Sequence, residues 1–350
     1  MTAESQPRFL ITRLSAIGDC VLTMPLACAL RDAFPHAWIG WVAEKAGGSL
    51  LQGHAAIDQV IIAPKGVLKS PRKLWTLRKE LQALRPDITL DPQGLLKSSV
   101  LGWLSGAKRR IGFRPPVGRE RSHWFNNDLI QSTERHVVGR YRQLLTRLDV
   151  DLPPVRFDLP RPVQNQRSIA AWLYSQNLAD KPMALINPGA GWDSKLWPAD
   201  RFAAVARYLE SQQDLRTVVV WAGELERVWA KQIVAQSNGA AILAPSTSLP
   251  DLAELARHAT MFVGSDTGPL HMAAAVGVPC VGIYGPTDPA DCGPFGPHHR
   301  TVQAFLQTGS SRERREAENI AMRAVTVEQV TAACHEVLRA TRRQLQPIAA

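Results

Sequence analysis

The sequence predicts an α/β protein of two doubly wound units, each a parallel sheet with helices on both faces. Three observations predict it. Apolar strand-like runs alternate with amphipathic helical stretches along the chain. The alternation stops at a proline-rich segment, residues 151–166, and then restarts. The 350 residues are enough for two domains of ordinary size.

The elements follow in order. Residues 8–13 read as a strand and 20–34 as a helix, with Val21, Leu22, Leu26, Ala29 and Leu30 on one stripe. "AWIGWVA" and "QVIIA" read as the next strands. A basic amphipathic helix over 71–84 leads into the strand "DITLD", and 136–148 reads as helix. "DLPPVRFDLPRPVQNQ" then marks a linker. Beyond it the strands are "MALIN", "RTVVVWAG", "AAILA", "TMFVG" and "PCVGIYG". The helices between them cover 198–211, 225–237, 249–258 and 269–276. A last amphipathic stretch, 326–340, is expected to pack back on the first domain. The expected division is 1–160, 161–325 and a C-terminal helix over 326–345. In such sheets ligands sit beyond the carboxyl ends of the strands, here expected in a cleft between the two units.

Composition excludes several classes. Hydrophobic content of 45% and charged content of 21% describe a soluble globular chain. No apolar run approaches the roughly 20 residues that span a bilayer. The N-terminus "MTAESQPR" is polar, so no secretory signal is expected and a cytoplasmic location is. The five cysteines form no Cys-x-x-Cys pair, which argues against zinc and a disulfide framework. Asp149 and Asp151 form an Asp-x-Asp pair, but at the edge of the linker, and no metal site is expected.

Charge is unevenly spread. Between residues 60 and 125 fourteen basic residues face four acids, an excess equal to the +10 of the whole chain. Such an excess points to an anionic partner: nucleic acid, an anionic membrane surface or a phosphorylated substrate. A solvated helix face is the plainer reading. The aromatic–basic interleaving of single-strand platforms is missing, so nucleic acid is not expected.

Two loops of the second unit are built for anions. In "VGSDTGPLHMAAAVGVP" a strand ends at Gly264 and a helix begins near Pro269. Thr267 and Gly268 would present backbone amides at the positive end of that helix, with His271 in its first turn. Asp266 or Thr267 could also cap the helix. In "LINPGAGWDSKLWP", Gly189, Ala190 and Gly191 allow close backbone approach, and Lys195 can reach a diphosphate as a point charge. "WAGELERVW" supplies Glu224 and Glu226, either of which could accept from ribose hydroxyls. The first unit has a thinner glycine signature: in "RLSAIGDC", Gly18 stands alone and Asp19 occupies the place of a phosphate. Asp19 suits a proton acceptor, or a cap for the helix after it.

Five stretches carry a family resemblance: "RLSAIGDCVLTMP", "DPQGLLKSS", "GRERSHWFNN", "NPGAGWDSKLWP" and "SDTGPLHMAAAVGVPCVGIYGPTDP". Together they resemble the lipopolysaccharide heptosyltransferases, closest to type I. The resemblance implies a GT-B fold, an ADP-heptose donor, a Kdo-containing lipid A acceptor and inverting transfer without a metal or other cofactor. It places Gly189, Ala190, Lys195, Glu226, Thr247, Asp266, Thr267, Gly268 and His271 on the donor. Gln93, Lys97 and Arg119, with the basic cluster Lys69, Arg72 and Lys73, fall on the acceptor side. Asp19 is then the catalytic base and Lys195 stabilises the leaving group. An anionic inner-membrane surface is the implied peripheral partner. The segment 308–325 matches little of the family pattern. The other readings are a related transferase with a different sugar or acceptor, a non-catalytic sugar-nucleotide binder, and an NAD-linked oxidoreductase. The last lacks Gly-x-Gly-x-x-Gly.

Overall fold

A computed structural model describes residues 6–345. The chain divides after Pro160 into two compact units. The first holds β1 (Arg8–Thr12), β2 (Trp38–Ala43), β3 (Gln59–Ile62), β4 (Ile88–Leu90), β5 (Arg109–Phe113) and β6 (Asp128–Ile130). They form one parallel sheet in the order β3-β2-β1-β4-β5-β6. The second holds β7 (Met183–Asn187), β8 (Arg216–Val219), β9 (Ala241–Leu243), β10 (Met261–Ser265), β11 (Cys280–Tyr284) and β12 (Arg300–Gln303). Their order is β12-β11-β10-β7-β8-β9, again parallel.

Each sheet has one place where the winding direction reverses. In the first the chain leaves β1 toward β2 and β4 toward β5, although β1 and β4 are neighbours. In the second it leaves β7 toward β8 and β10 toward β11, and β7 and β10 are neighbours. The connections part at these points, so a crevice opens at the carboxyl ends of the paired strands. Strand order sets where each crevice lies: it is where the parallel crossovers change direction.

The first helix, Ile17–Ala33, starts three residues before the expected position 20. Every residue from Cys20 to Leu30 is buried, because the sheet covers one side and the helix Val137–Arg142 the other. The expected helix 136–148 is shorter: it tightens to a 3-10 turn from Gln143 to Leu148. Cys20, Cys28, Cys280 and Cys334 are buried and all five cysteines are free thiols. Burial pushes Cys20 and Cys334 up to about 12 and Cys28 up to about 11, so these thiols stay protonated and idle.

The C-terminal helix, Val327–Leu345, corrects an expectation. Val330, Ala333, Cys334, Val337 and Leu338 recur at helical spacing and are buried in the core of the second unit. They pack with the helix Ala199–Gln213 and with β11 and β12. The apolar face that was expected to return to the first domain is therefore occupied within the second. Truncating it should show: Leu338→Ala is expected to destabilise the second unit by about 2–5 kcal/mol. A melting transition unchanged from wild type would contradict this placement.

Candidate active site

In the second unit the loops after β7 and β10 meet around one carboxylate. Asp266 follows β10 directly, and its Oδ2 lies 2.5 Å from Lys195 Nζ. Lys195 comes from the 3-10 turn Asp193–Lys195, beyond β7. Both side chains are nearly out of water, 12% exposed for Lys195 and 8% for Asp266. Three more groups satisfy the carboxylate: His271 Nε2 donates to Oδ1 at 3.1 Å, Thr287 Oγ1 donates to Oδ2 at 2.8 Å, and the Cys292 thiol lies 4.0 Å from Oδ2. Burial pushes the carboxyl up, but the His271 bond and the Lys195 charge outweigh it and hold it well below the ordinary carboxylate range. Asp266 is an anion under all ordinary conditions. The face of Trp192 lies 4.4 Å from the Lys195 ammonium and closes its other side.

The helix that follows, Gly268–Ala275, has Thr267 as its N-cap, but the Thr267 side chain makes no capping bond. Its hydroxyl instead accepts from Asn187 Nδ2 at 3.3 Å. The first amides of the helix thus lack a side-chain partner and leave the positive end of the dipole open to an anion. Neither of the two capping roles read from the sequence, for Asp266 or for Thr267, is filled by a side chain.

The loop Gly189–Gly191 lies against Glu226. A Cβ on Gly189 would stand 2.2 Å from the Glu226 carboxyl carbon, so a larger residue there would have to push that carboxylate away. Glu226 Oε2 accepts from Ala222 N at 2.8 Å, and burial raises its pKa. Glu224 is exposed and pairs with Arg227 on its own helix, at 3.4 Å. Of the two acids, Glu226 is the one beside the glycine loop. Thr247 is half-buried in the loop after β9, one residue before Ser248, which caps the helix Leu249–Arg257. None of the described hydrogen bonds ties it to the Lys195 group. Ala190 is half-buried between the two glycines.

In the first unit the loop after β1 is built around Arg13. Its guanidinium is buried, and Nη2 lies 2.6 Å from Asp19 Oδ1. Burial works against that charge, yet Asp19 beside it holds the guanidinium more basic than usual. Tyr141 lies under the guanidinium, ring centroid 4.9 Å away, and its hydroxyl reaches Asp19 Oδ1 at 3.5 Å. Asp19 Oδ2 accepts from Ala16 N at 3.2 Å. The helix cap is Ala16, so Asp19 lies in the first turn and not at the cap position read from the sequence. Its side chain is 39% exposed, and it is the solvent-facing member of the pair. Arg13 is a residue that sequence reasoning does not single out. A cation inside a buried strand run is itself the signal that a carboxylate must be near.

The residues expected on the acceptor side separate into two sets. Gln93 and Lys97 hold the Asp19 loop: Gln93 Oε1 accepts from Leu14 N at 2.9 Å, and Lys97 Nζ donates to Ser15 Oγ at 2.6 Å. Lys97 also lies 3.5 Å from Glu44. Behind them Asp91 is buried, accepting from Gly94 N and Asn126 Nδ2, each at 3.0 Å. Arg119 is exposed, and its backbone N donates to Gly94 O at 2.8 Å. Lys69, Arg72 and Lys73 are exposed before and within the helix Pro71–Ala83, away from this hydrogen-bond network.

Among the described residues no helix is long and apolar enough to cross a membrane. The model of glycosyltransferase family 9 (heptosyltransferase) matches residues 74–321. Lipopolysaccharide heptosyltransferase 1 of Pseudomonas aeruginosa is 30% identical over 312 residues, 83% of this chain and 81% of that one. The protein of that name from Salmonella typhimurium is 26% identical over 83% of this chain and 92% of its own. The crystal structure of a family 9 glycosyltransferase from Veillonella parvula superposes with a TM-score of 0.79 at 25% identity, covering 95% of this chain and 97% of that one. The heptosyltransferase WaaC of E. coli, solved with ADP-2-deoxy-2-fluoro heptose, superposes at 0.73 and 24% identity over 94% of this chain and 99% of its own, which shows the shared GT-B fold. The chain belongs to glycosyltransferase family 9 and is an enzyme of heptose transfer in lipopolysaccharide core synthesis.

Proposed function

We propose that the enzyme moves heptose from ADP-heptose to a Kdo-containing lipid A precursor, with inversion and without a metal. One observation carries the donor half: Lys195, Asp266 and His271 converge at an uncapped helix N-terminus. The residues read as donor contacts follow β10, β7, β8 and β9, four neighbouring strands. At about 4.8 Å per strand they span about 15 Å, the reach of an extended diphosphonucleotide. The diphosphate would lie at the amides of Thr267 and Gly268 beside Lys195, with Glu226 near a ribose and Thr247 beyond it. That a relative was solved with an ADP-heptose analogue supports the same donor class. The names of the relatives support the acceptor class.

The proposed step is a single displacement. The acceptor hydroxyl oxygen bonds to the anomeric carbon as the bond from that carbon to the diphosphate oxygen breaks. Asp19 takes the hydroxyl proton. ADP leaves with added negative charge, and Lys195 with the helix amides stabilises it there. These groups supply the positive charge that a metal would otherwise bring.

Melting curves test the donor. ADP at 100 times its dissociation constant is expected to stabilise the fold by about 2.7 kcal/mol, and NAD to leave the curve unchanged. A shift with NAD alone would overturn the reading. For the base, Asp19→Asn is expected to keep ADP affinity and lose about 10²–10⁴ in turnover with ADP-heptose and a Kdo-lipid A acceptor. Because Arg13 then loses a charged partner, the melting temperature of that variant should also fall. Turnover near wild type would sink the assignment.

We also infer that the basic face of the first unit meets an anionic lipid surface, on the cytoplasmic side. Trp75 is 57% exposed on the helix that carries Arg72 and Lys73, with Lys79 Nζ 3.5 Å from its ring centroid. Trp beside cations suits a membrane interface. Binding to anionic vesicles should weaken as salt rises, with about 1 kcal/mol per Lys or Arg near the surface at low salt. Salt-insensitive binding would point to a solvated face instead.

A further inference from the structure

Asp266 has two partners that neither the donor nor the acceptor reading uses: the Cys292 thiol, distant at 4.0 Å from Oδ2, and the much closer Thr287 hydroxyl. Thr287 Oγ1 donates to Oδ2, the same oxygen that faces Lys195. Thr287 sits in the loop after β11, and that loop is tied down from two sides. Gln303, at the end of β12, donates from Nε2 to Thr287 O at 2.9 Å and to Gly285 O at 3.2 Å. Arg314, on the short helix Ser311–Glu316, donates from Nη1 to Pro286 O at 2.6 Å. The same stretch of chain secures the Lys195 turn. The helix Ser311–Glu316 rests against Asp193–Lys195, and Asn319 Nδ2 donates to Leu196 O at 2.9 Å. Met322 closes the floor: a Cβ on Gly285 would stand 2.9 Å from its sulfur. Residues 308–325, whose sequence shows little of the family pattern but of which 308–321 lie within the matched family model, thus brace both walls of the Lys195–Asp266 contact.

We propose that Thr287 is a positioning residue: its hydroxyl loads Asp266 Oδ2, and so leaves the Lys195 ammonium free to act on an anion. Lys195 and Thr287 compete for one carboxylate oxygen. A carboxylate oxygen that takes only an ammonium binds it tightly, and the cation's field is cancelled locally. A hydroxyl donor to the same oxygen draws charge from it and weakens that hold. The N–H groups of Lys195 that do not face Asp266 then keep their strength for a leaving diphosphate. Arg314 and Gln303 hold the hydroxyl at that oxygen.

The inference rests on the proposed role of Lys195, and two readouts keep the two apart. The first needs no nucleotide. The rate at which an amine-reactive reagent labels Lys195 at fixed pH, followed by mass spectrometry of its peptide, is expected to fall several-fold in Thr287→Val. Thr287→Ser restores the hydroxyl and is expected to label as wild type does. The second is steady-state transfer from ADP-heptose. Thr287→Val is expected to lose about tenfold in kcat with a smaller change in KM for the donor, because charge on the diphosphate grows in the transition state. Arg314→Gln, which loosens the loop and touches none of the charged groups, should shift both readouts in the same direction by less. Absence of transfer in the wild type would overturn the proposed reaction, and the labelling rates would still decide the role of Thr287. Equal labelling in wild type and Thr287→Val would overturn that role. So would a Thr287→Ser variant as impaired as Thr287→Val, since packing of the methyl group would then be the cause.

Discussion

An ammonium and a carboxylate 2.5 Å apart, both nearly shut off from water, set the terms for the second unit. Taking two charges out of water is unfavourable, and their mutual attraction offsets it only when the remaining hydrogen-bonding capacity is filled. Here it is filled by groups that the chain delivers from far apart. Lys195 arrives from the loop after β7, His271 from the first turn after β10, and Thr287 from the loop after β11. All three converge only because β7, β10 and β11 are adjacent in the sheet. The strand order is thus a condition for the charge pair. The pair in turn holds a cation beside a helix N-terminus without any side chain capping that terminus.

The first unit solves a related problem with the charges reversed. There the cation, Arg13, is the buried partner, and the carboxylate, Asp19, is the one that reaches solvent. In the second unit neither partner reaches far, and the carboxylate is the more hydrogen-bonded of the two. This contrast separates their chemistry. A carboxylate that keeps a solvent-facing side can take a proton from an incoming hydroxyl. One enclosed by Lys195, His271 and Thr287 can only orient its neighbours. In the proposed reaction Asp266 therefore serves as the anchor of Lys195 rather than as a direct ligand of a sugar. Asp19 in its turn is held by Arg13, Tyr141 and the Ala16 amide, and the proposed role as a base that meets one particular hydroxyl needs such aiming.

How much of this was legible in the sequence follows from the range of each interaction. The strands around the two switch points could be read, since their apolar runs are buried on both faces. β5 could not, because Arg109 and Arg110 open it near the sheet's edge and disguise its pattern. The helix Val327–Leu345 showed an apolar face, but periodicity says that a face is buried and not against what. Lys195, Asp266 and His271 could be picked out from their loops. Their mutual contacts could not, since Lys195 and Asp266 are 71 residues apart and only the pairing of β7 with β10 joins them. The Thr287 contact had no local signal at all, as it depends on β10 lying beside β11. Glu226 and Glu224 differ by two positions on one helix, so the choice between them depended on helical phase relative to Gly189.

The uncompensated charge of the protein follows a different physics from the compensated charge of its site. Around Asp266 and Arg13 every ion has a partner within hydrogen-bonding distance, so little of its field extends outward. The exposed cations of the helix Pro71–Ala83 have few acidic neighbours in sequence, and their fields add. Fields of that kind act over about a Debye length, near 8–10 Å at physiological salt, and are weakened as salt rises. The desolvated Lys195–Asp266 contact is screened far less. A single change of ionic strength therefore acts on the two parts of the molecule unequally. It weakens the field of the first unit's exposed cations while leaving the Lys195–Asp266 contact nearly untouched, so under the proposed function capture of a lipid-borne acceptor and activation of the donor would be separable steps.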